Sequence, residues 1–109
     1  MRKIEARTLA SIEDYRLVEA PDPEPQAGEV LIKIAACGVG YVDALVALGR
    51  YQVKPPLPHT PGQEIAGRVL AVGAGTEGIE IGDRVMATVR GGFAERATAP
   101  AAVVRKIPD

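Results

Sequence analysis

The chain has 109 residues, of which 47% are hydrophobic and 25% are charged, so it has the size and composition of one soluble domain with a single core. Its 13 basic and 14 acidic residues nearly cancel and form no cluster of lysine and arginine, which excludes the electrostatic footprint of a protein that binds nucleic acid or a membrane surface. A single cysteine excludes an internal disulfide, and the N-terminal residues contain no apolar run typical of a secretory signal, so we expect a cytoplasmic protein whose partner is a small molecule.

Short strands with frequent turns are predicted along the whole chain. The sequence contains 9 prolines, 12 glycines and many β-branched residues, a composition typical of a mainly β fold. The run EVLIKIAA at 29–36 contains one charge, Lys33, and is predicted to be buried on both faces or nearly so. The predicted strands are 1–7, 15–19, 29–36, 64–72, 84–89, 93–98 and 103–107. About seven short strands favour a small, partly open barrel or sandwich.

One segment between the third and fourth predicted strands has helical spacing. In YVDALVALG, which follows Gly40, the side chains of Tyr41, Leu45 and Leu48 share one face, and Gly49 can end a helix of about two turns. The next stretch, 51–61, contains four prolines and is predicted to cross the surface as an irregular loop. Loops of this kind often line binding sites.

The glycine-rich run Gly73–Gly78 matches G-x-G-x-x-G after a predicted strand, as a dinucleotide-binding fingerprint does. A true fingerprint opens a helix whose N-terminal amides hold a pyrophosphate. The residues that follow, IEIGDRV, have a strand-turn-strand pattern instead. We therefore predict a connecting loop and no nucleotide site at this run.

Metal and nucleophile chemistry are weakly supported by the residues. Cys37 and His59 are good metal ligands with Asp43 and Glu64 nearby in sequence, but a catalytic zinc site usually takes three ligands dominated by His and Cys. We interpret Cys37 as a small buried side chain and His59 as a loop residue. Ser11 and Cys37 have no activating partner at a recognisable spacing, so hydrolase chemistry is unsupported.

Two tyrosines bracket the predicted helix and are candidate site residues. The phenols of Tyr41 and Tyr51 could donate a hydrogen bond to a substrate carbonyl, because a phenol with an unperturbed pKa of about 10 stays protonated near neutral pH. Core packing explains both side chains equally well. The residues leave packing and site lining open.

The run from Glu24 to Ala87 resembles the catalytic-domain signature of the medium-chain dehydrogenases/reductases. The resemblance rests on four motifs in the expected order, PxxGEVLIKI, ACGVxxxD, PxLPxxPGxExAGxV and VGxGxxxxxxGDRV, and on GGFAE at 91–95. It implies a GroES-like fold, a partly open β-barrel with one or two short helices, over residues 1–109. It also implies that the Rossmann domain, which binds the nicotinamide cofactor in the full enzymes, is absent from this chain.

Two departures indicate the subfamily. Zinc alcohol dehydrogenases carry a cysteine ligand at the position of Gly40 and a histidine ligand at the position of Gln63. The segment YVDALVALGRY resembles the zinc-free quinone oxidoreductases, which commonly carry asparagine where this chain has Gly40. The resemblance implies no zinc, NADPH as cofactor, a quinone or another activated enone as substrate, and a homodimer.

The same resemblance suggests roles for individual residues. Tyr51 and Tyr41 are the expected hydrogen-bond donors to the substrate, and Tyr51 matches a tyrosine of the family's cleft. The expected lining of that cleft is Gly40, Val42, Asp43, Glu64 and Phe93. Glu64 matches a carboxylate near the zinc of metal-bearing relatives, and its structural alternative is an ion pair with an arginine such as Arg84.

Two alternatives from other classes stay open. One is a zinc-type alcohol dehydrogenase-like domain that uses unusual ligands. The other is a stand-alone GroES-like binding or assembly module, because a fold alone does not determine function. In either of the oxidoreductase interpretations, the isolated domain is expected to be inactive.

Overall fold

A computed structural model describes residues 1–109, and it confirms a mainly β fold with seven strands and one α-helix. Two 3-10 turns, Ile12–Asp14 and Ala101–Val103, complete the regular structure. The strands are β1 (Arg2–Glu5), β2 (Arg16–Glu19), β3 (Glu29–Cys37), β4 (Glu64–Val72), β5 (Arg84–Thr88), β6 (Arg96–Pro100) and β7 (Val104–Lys106), and the helix is α1 (Tyr41–Ala47).

The strands form two antiparallel sheets. β1 and β2 make a separate hairpin, and the other five strands form one sheet in the order β6-β3-β4-β5-β7. The hairpin is joined to the rest of the domain by a hydrogen bond of 2.8 Å from the Ile4 amide to the Phe93 carbonyl. No helix has the length and apolar character needed to span a bilayer. The five-stranded sheet forms a half-barrel, which is consistent with the GroES-like fold.

The core lies on one face of the five-stranded sheet. Its largest fully buried side chains are Val30 and Ile32 of β3, Val69 of β4 and Val85 of β5. The expectation that the third strand is buried on both faces is wrong, because burial alternates along β3 and Lys33 is exposed. A half-barrel covers only the inner face of its sheet, so every second side chain of the strand meets solvent.

Helix α1 forms where the helical spacing predicts it. The Asp43 carboxylate accepts a hydrogen bond of 2.7 Å from the Gly40 amide, which satisfies a backbone donor that the first helical turn leaves free. Gly49 ends the helix with φ +67°. Of the two roles left open for Tyr41, core packing does not apply, because the side chain is 80% exposed and the helix packs through Ala47 in its last turn.

The start of β6 and the length of β7 differ from the prediction, and the loop between β4 and β5 agrees with it. Phe93, predicted to open a strand, lies before β6, where its amide donates to the Pro61 carbonyl at 2.8 Å. The last strand is shorter than predicted by one residue at each end. The run Gly73–Gly78 joins β4 to β5 without a helix, with φ values of +77° and +79° at Gly75 and Gly78, so the predicted loop is confirmed.

Candidate functional site

A cavity of about 500 Å³ opens between α1, the proline-rich loop 51–61 and the end of β5. This size is within the usual range for a small-molecule site. The residues that line it are Asp43, Val46, Tyr51, Val53, Lys54, Pro55, Pro56, Pro58, His59, Thr60, Pro61, Gly62, Gln63, Thr88, Val89, Arg90 and Gly91.

The proline-rich loop forms one wall of the cavity and is tied to the domain near both of its ends. The Lys54 ammonium donates to the Gly49 carbonyl at 2.9 Å, which links the loop to the end of α1. At the other end His59 pairs with Ala6 through two backbone hydrogen bonds, of 2.8 and 3.0 Å. Three of the loop's four prolines lie between these ties, where they restrict the backbone and provide no N–H groups, so few hydrogen bonds hold the wall.

Within this loop, His59 packs against an aromatic side chain. The Tyr15 ring meets the imidazole edge to face, with ring centroids 6.1 Å apart, and the Tyr15 hydroxyl donates to the Ala47 carbonyl at 2.8 Å. Burial lowers the pKa of His59 and raises the pKa of Tyr15. The His59 Nε2 atom is buried without a hydrogen-bond partner. This packing favours a neutral imidazole.

No sequence pattern pointed to Tyr15 as a site residue, and His59 was weighed as a metal ligand and interpreted as a loop residue. Tyr15 stands at the start of a predicted strand, and no motif or spacing relates it to His59. Its one available signal is scarcity, because aromatic residues make up 4% of the chain. Only the chain's path, which brings the first hairpin next to the loop, places the two rings together.

Of the predicted site residues, the structure brings Tyr51 and Asp43 together at the cavity. Asp43 Oδ2 is held by the Gly40 amide, and Asp43 Oδ1 is buried without a partner. Tyr41, Val42 and Gly40 lie on the turn and first helical residues beside the cavity and do not line it. Tyr51 is therefore the predicted donor that this cavity contains.

Phe93 and Glu64 do not line the cavity. Phe93 is half-buried and its amide donates to the Pro61 carbonyl, and Glu64 lines a second, more open depression of about 710 Å³ on the outer face of the sheet. The alternative of an ion pair between Glu64 and Arg84 is wrong. The register opposes Glu64 to Thr88 and Arg84 to Arg68, so the two charges stand at opposite ends of the β4–β5 pair.

The donor set does not fit a zinc ion. No group of three or more His, Cys, Asp and Glu side chains lies close enough together to hold a metal. Gly40 has no side chain, and the carboxylate nearest to it already accepts the Gly40 amide. Cys37 ends β3 against the core, where burial, followed by the charges of Asp43 and Glu64, raises the pKa of its thiol.

Comparison with known proteins agrees with this fold. Residues 26–109 match the alcohol dehydrogenase GroES-like domain family. The human synaptic vesicle membrane protein VAT-1 homolog-like is 40% identical over 100% of the chain and 26% of its own length, and its crystal structure superimposes with a TM-score of 0.96, covering 36% of that chain. The quinone oxidoreductase of Lama guanicoe is 47% identical over 79% of the chain and 27% of its own length.

A mycobacterial protein, Rv1454c complexed with NADPH, is 38% identical with a TM-score of 0.92, over 100% of the chain and 34% of that protein. The chain thus spans about a quarter of the length of the curated relatives that it matches, 26% and 27% in the two named. The matched motifs, the half-barrel and the identity over the whole chain point the same way. The chain belongs to the alcohol dehydrogenase GroES-like domain family, as a quinone-oxidoreductase-like member of the medium-chain dehydrogenases/reductases.

Proposed function

We propose that this chain forms the substrate-side wall of a cleft in which NADPH reduces a quinone or another activated enone without zinc. The observation that carries the proposal is the cavity of about 500 Å³ that contains Tyr51 but no set of metal ligands. The quinone oxidoreductase relatives and the NADPH complex of a structural neighbour support the choice of substrate and cofactor. NADPH would be held mainly by a nucleotide-binding domain, and the isolated 109-residue chain would be inactive.

The chain's own part in the reaction would be to orient the substrate and stabilise charge. When bound, NADPH supplies a hydride to an electron-poor carbon, and negative charge then develops on the carbonyl oxygen. Hydrogen-bond donors fixed near that oxygen lower the barrier. Tyr51 lines the cavity and its hydroxyl forms no hydrogen bond within the chain, so it is the donor we assign to this oxygen. The Tyr41 hydroxyl and the backbone amides of Tyr41 and Val42 would contribute from the cavity's edge, whereas the Gly40 amide already donates to Asp43.

Replacing Tyr51 by Phe in the full-length enzyme tests this role. We expect kcat/KM for NADPH-dependent quinone reduction to fall by about thirtyfold or more, since loss of a well-placed donor costs roughly 2 kcal/mol or more in the transition state. Tyr41→Phe, measured alongside, shows whether the exposed tyrosine contributes when the enzyme is complete. An unchanged kcat/KM in Tyr51→Phe removes Tyr51 from the mechanism.

The absence of zinc is a separate part of the proposal. Metal analysis of the purified full-length enzyme should find far less than one zinc per chain, and activity should survive treatment with a chelator. Stoichiometric zinc, lost together with activity, contradicts it. We also propose a cytoplasmic homodimer, which cell fractionation and light scattering of the full-length protein test.

A further inference from the structure

The charges at the cavity are unevenly balanced. Three residues that line it carry charge, the cations Lys54 and Arg90 and the anion Asp43. Asp43 is already used by the fold, because one carboxylate oxygen accepts the Gly40 amide at 2.7 Å and the other is buried. The cavity therefore offers a ligand more positive than negative charge.

The two cations differ in whether their side chains already have a hydrogen-bond partner within the chain. The Lys54 ammonium donates to the Gly49 carbonyl at 2.9 Å. The Arg90 side chain is exposed and forms no hydrogen bond or ion pair within the chain, although other arginines, such as Arg96 with Asp22 at 3.0 Å, find a carboxylate. A guanidinium presents a fork of donors suited to a carboxylate or a phosphate.

The backbone holds Arg90 in place from both sides. The amide of Val89 donates to the Gln63 carbonyl at 2.8 Å, and the amide of Gly91 donates to the Gly62 carbonyl at 3.1 Å. Gln63 and Gly62 themselves line the cavity. Because both neighbours of Arg90 are hydrogen-bonded to residues 62–63, the backbone at Arg90 has a fixed position in the cavity wall.

The uncharged polar side chains of the wall add donors. Tyr51, Thr60 and Gln63 line the cavity, and none of them hydrogen-bonds through its side chain to another group of the chain. Donors and a free guanidinium together suit an oxygen-rich, negatively charged group. We propose that Arg90 determines specificity in this cavity by pairing with a carboxylate or phosphate group of the bound molecule.

This inference rests on the proposed function, because it names the class of substrate that the same cavity would accept: a small carbonyl compound with an anionic substituent. The same anionic oxygen chemistry could be supplied by a phosphate of the cofactor. The two sources are separated by testing a substrate-like probe and NADPH against the same variants.

Binding to this chain can be measured without turnover. Amide NMR titrations would compare 4-oxopentanoate with its uncharged methyl ester, a pair that shares the ketone and differs in charge, and NADPH would be titrated in a third arm. We expect the anion to bind about fivefold more tightly than the ester, a modest ratio because Arg90 is exposed to solvent. The largest shifts should fall at residues 88–91, and added salt should reduce the ratio.

Variants identify the residue responsible. Arg90→Gln should reduce the ratio to about one, while Arg90→Lys should keep part of it because the charge remains. Arg16→Gln is the matched control, since it removes an exposed arginine on β2 that does not line the cavity. If only NADPH binding responds to Arg90→Gln, Arg90 pairs with a phosphate of the cofactor, and the anionic substrate class inferred here is rejected.

Equal binding of anion and ester by the unmodified chain, no binding of any probe, or an unchanged ratio in Arg90→Gln would overturn the inference. Its failure is distinguishable from failure of the proposed function. A full-length enzyme that reduces neutral quinones with NADPH, but binds anion and ester equally with or without the Arg90→Gln substitution, keeps the function and rejects the inference. An enzyme that prefers the anion to the ester through Arg90, but does not reduce quinones with NADPH, keeps the inference and rejects the proposed function.

Discussion

Replacing Gly67 with alanine should destabilise the domain severely, because the backbones of β3 and β4 leave no room for a side chain there. Gly67 lies opposite Ile34, and a Cβ atom at Gly67 would stand 2.0 Å from the Lys33 carbonyl oxygen and 3.0 Å from the Ile32 side chain. An ordinary contact between carbon and oxygen is about 3.3 Å or longer. The strands would therefore have to separate by more than an ångström.

The surrounding core resists such a separation. Ile32 and Val69, which flank the contact on the inner face, are 0% and 1% exposed and packed in the main cluster. Forcing extra volume into a packed core costs about 1–3 kcal/mol, and a clash with backbone lies at or above the upper end of that range. We expect a loss of about 3 kcal/mol or more in the free energy of unfolding, which is a large part of the roughly 5–15 kcal/mol of a typical domain.

Thermal and urea unfolding followed by circular dichroism measure this loss. With a shift of about 4–8 °C per kcal/mol for a domain of this size, Tm should fall by roughly 12–24 °C. Gly75→Ala is the matched control, since Gly75 has φ +77° but no atom within 4 Å of the added Cβ. It should cost only about 1–2 kcal/mol of backbone strain. Equal losses for the two variants would refute the argument from close approach.

Two further predictions concern the Tyr15–His59 contact. Tyr15→Phe removes the hydrogen bond to the Ala47 carbonyl and should lower the free energy of unfolding by about 1 kcal/mol, measured in urea; no change would mean that the hydroxyl is equally well solvated. Because burial lowers the pKa of His59, the unfolded chain should take up this proton first, and stability should decrease as pH falls from about 6.5 through the folded pKa. Urea unfolding between pH 7.5 and 5 measures this decrease, and His59→Gln should make the free energy of unfolding less dependent on pH. An NMR titration of the imidazole measures the pKa of His59 in the folded chain, and a midpoint at or above about 6.5 would contradict the prediction.

The strand pattern of the fold was predictable because it depends on local chemistry. Alternating apolar residues around Val30 and Val69, the helical spacing after Gly40 and the glycine that ends α1 each act within a few residues. The loop at Gly73–Gly78 was recognised as a false fingerprint for the same reason, because a strand pattern follows it at once. The error at β3 concerns which face of the strand is covered, and that depends on the rest of the fold.

The candidate site was only partly predictable. Tyr51 was found through its place beside the helix and the proline-rich loop, and Asp43 through a motif. Arg90 gave no signal, because an arginine before two glycines resembles any surface residue. The Tyr15–His59 contact joins distant parts of the chain, which neither spacing nor motif can relate.

The amino-acid sequence by itself determined the class of fold, the approximate positions of the strands and helix, and the family. These properties depend on residue type and local spacing. Only the tertiary structure decided that Tyr51, Asp43 and Arg90 share one cavity while Glu64 and Phe93 lie outside it. The register of paired strands and the path of the loops set those distances, and both result from packing among residues far apart in the chain.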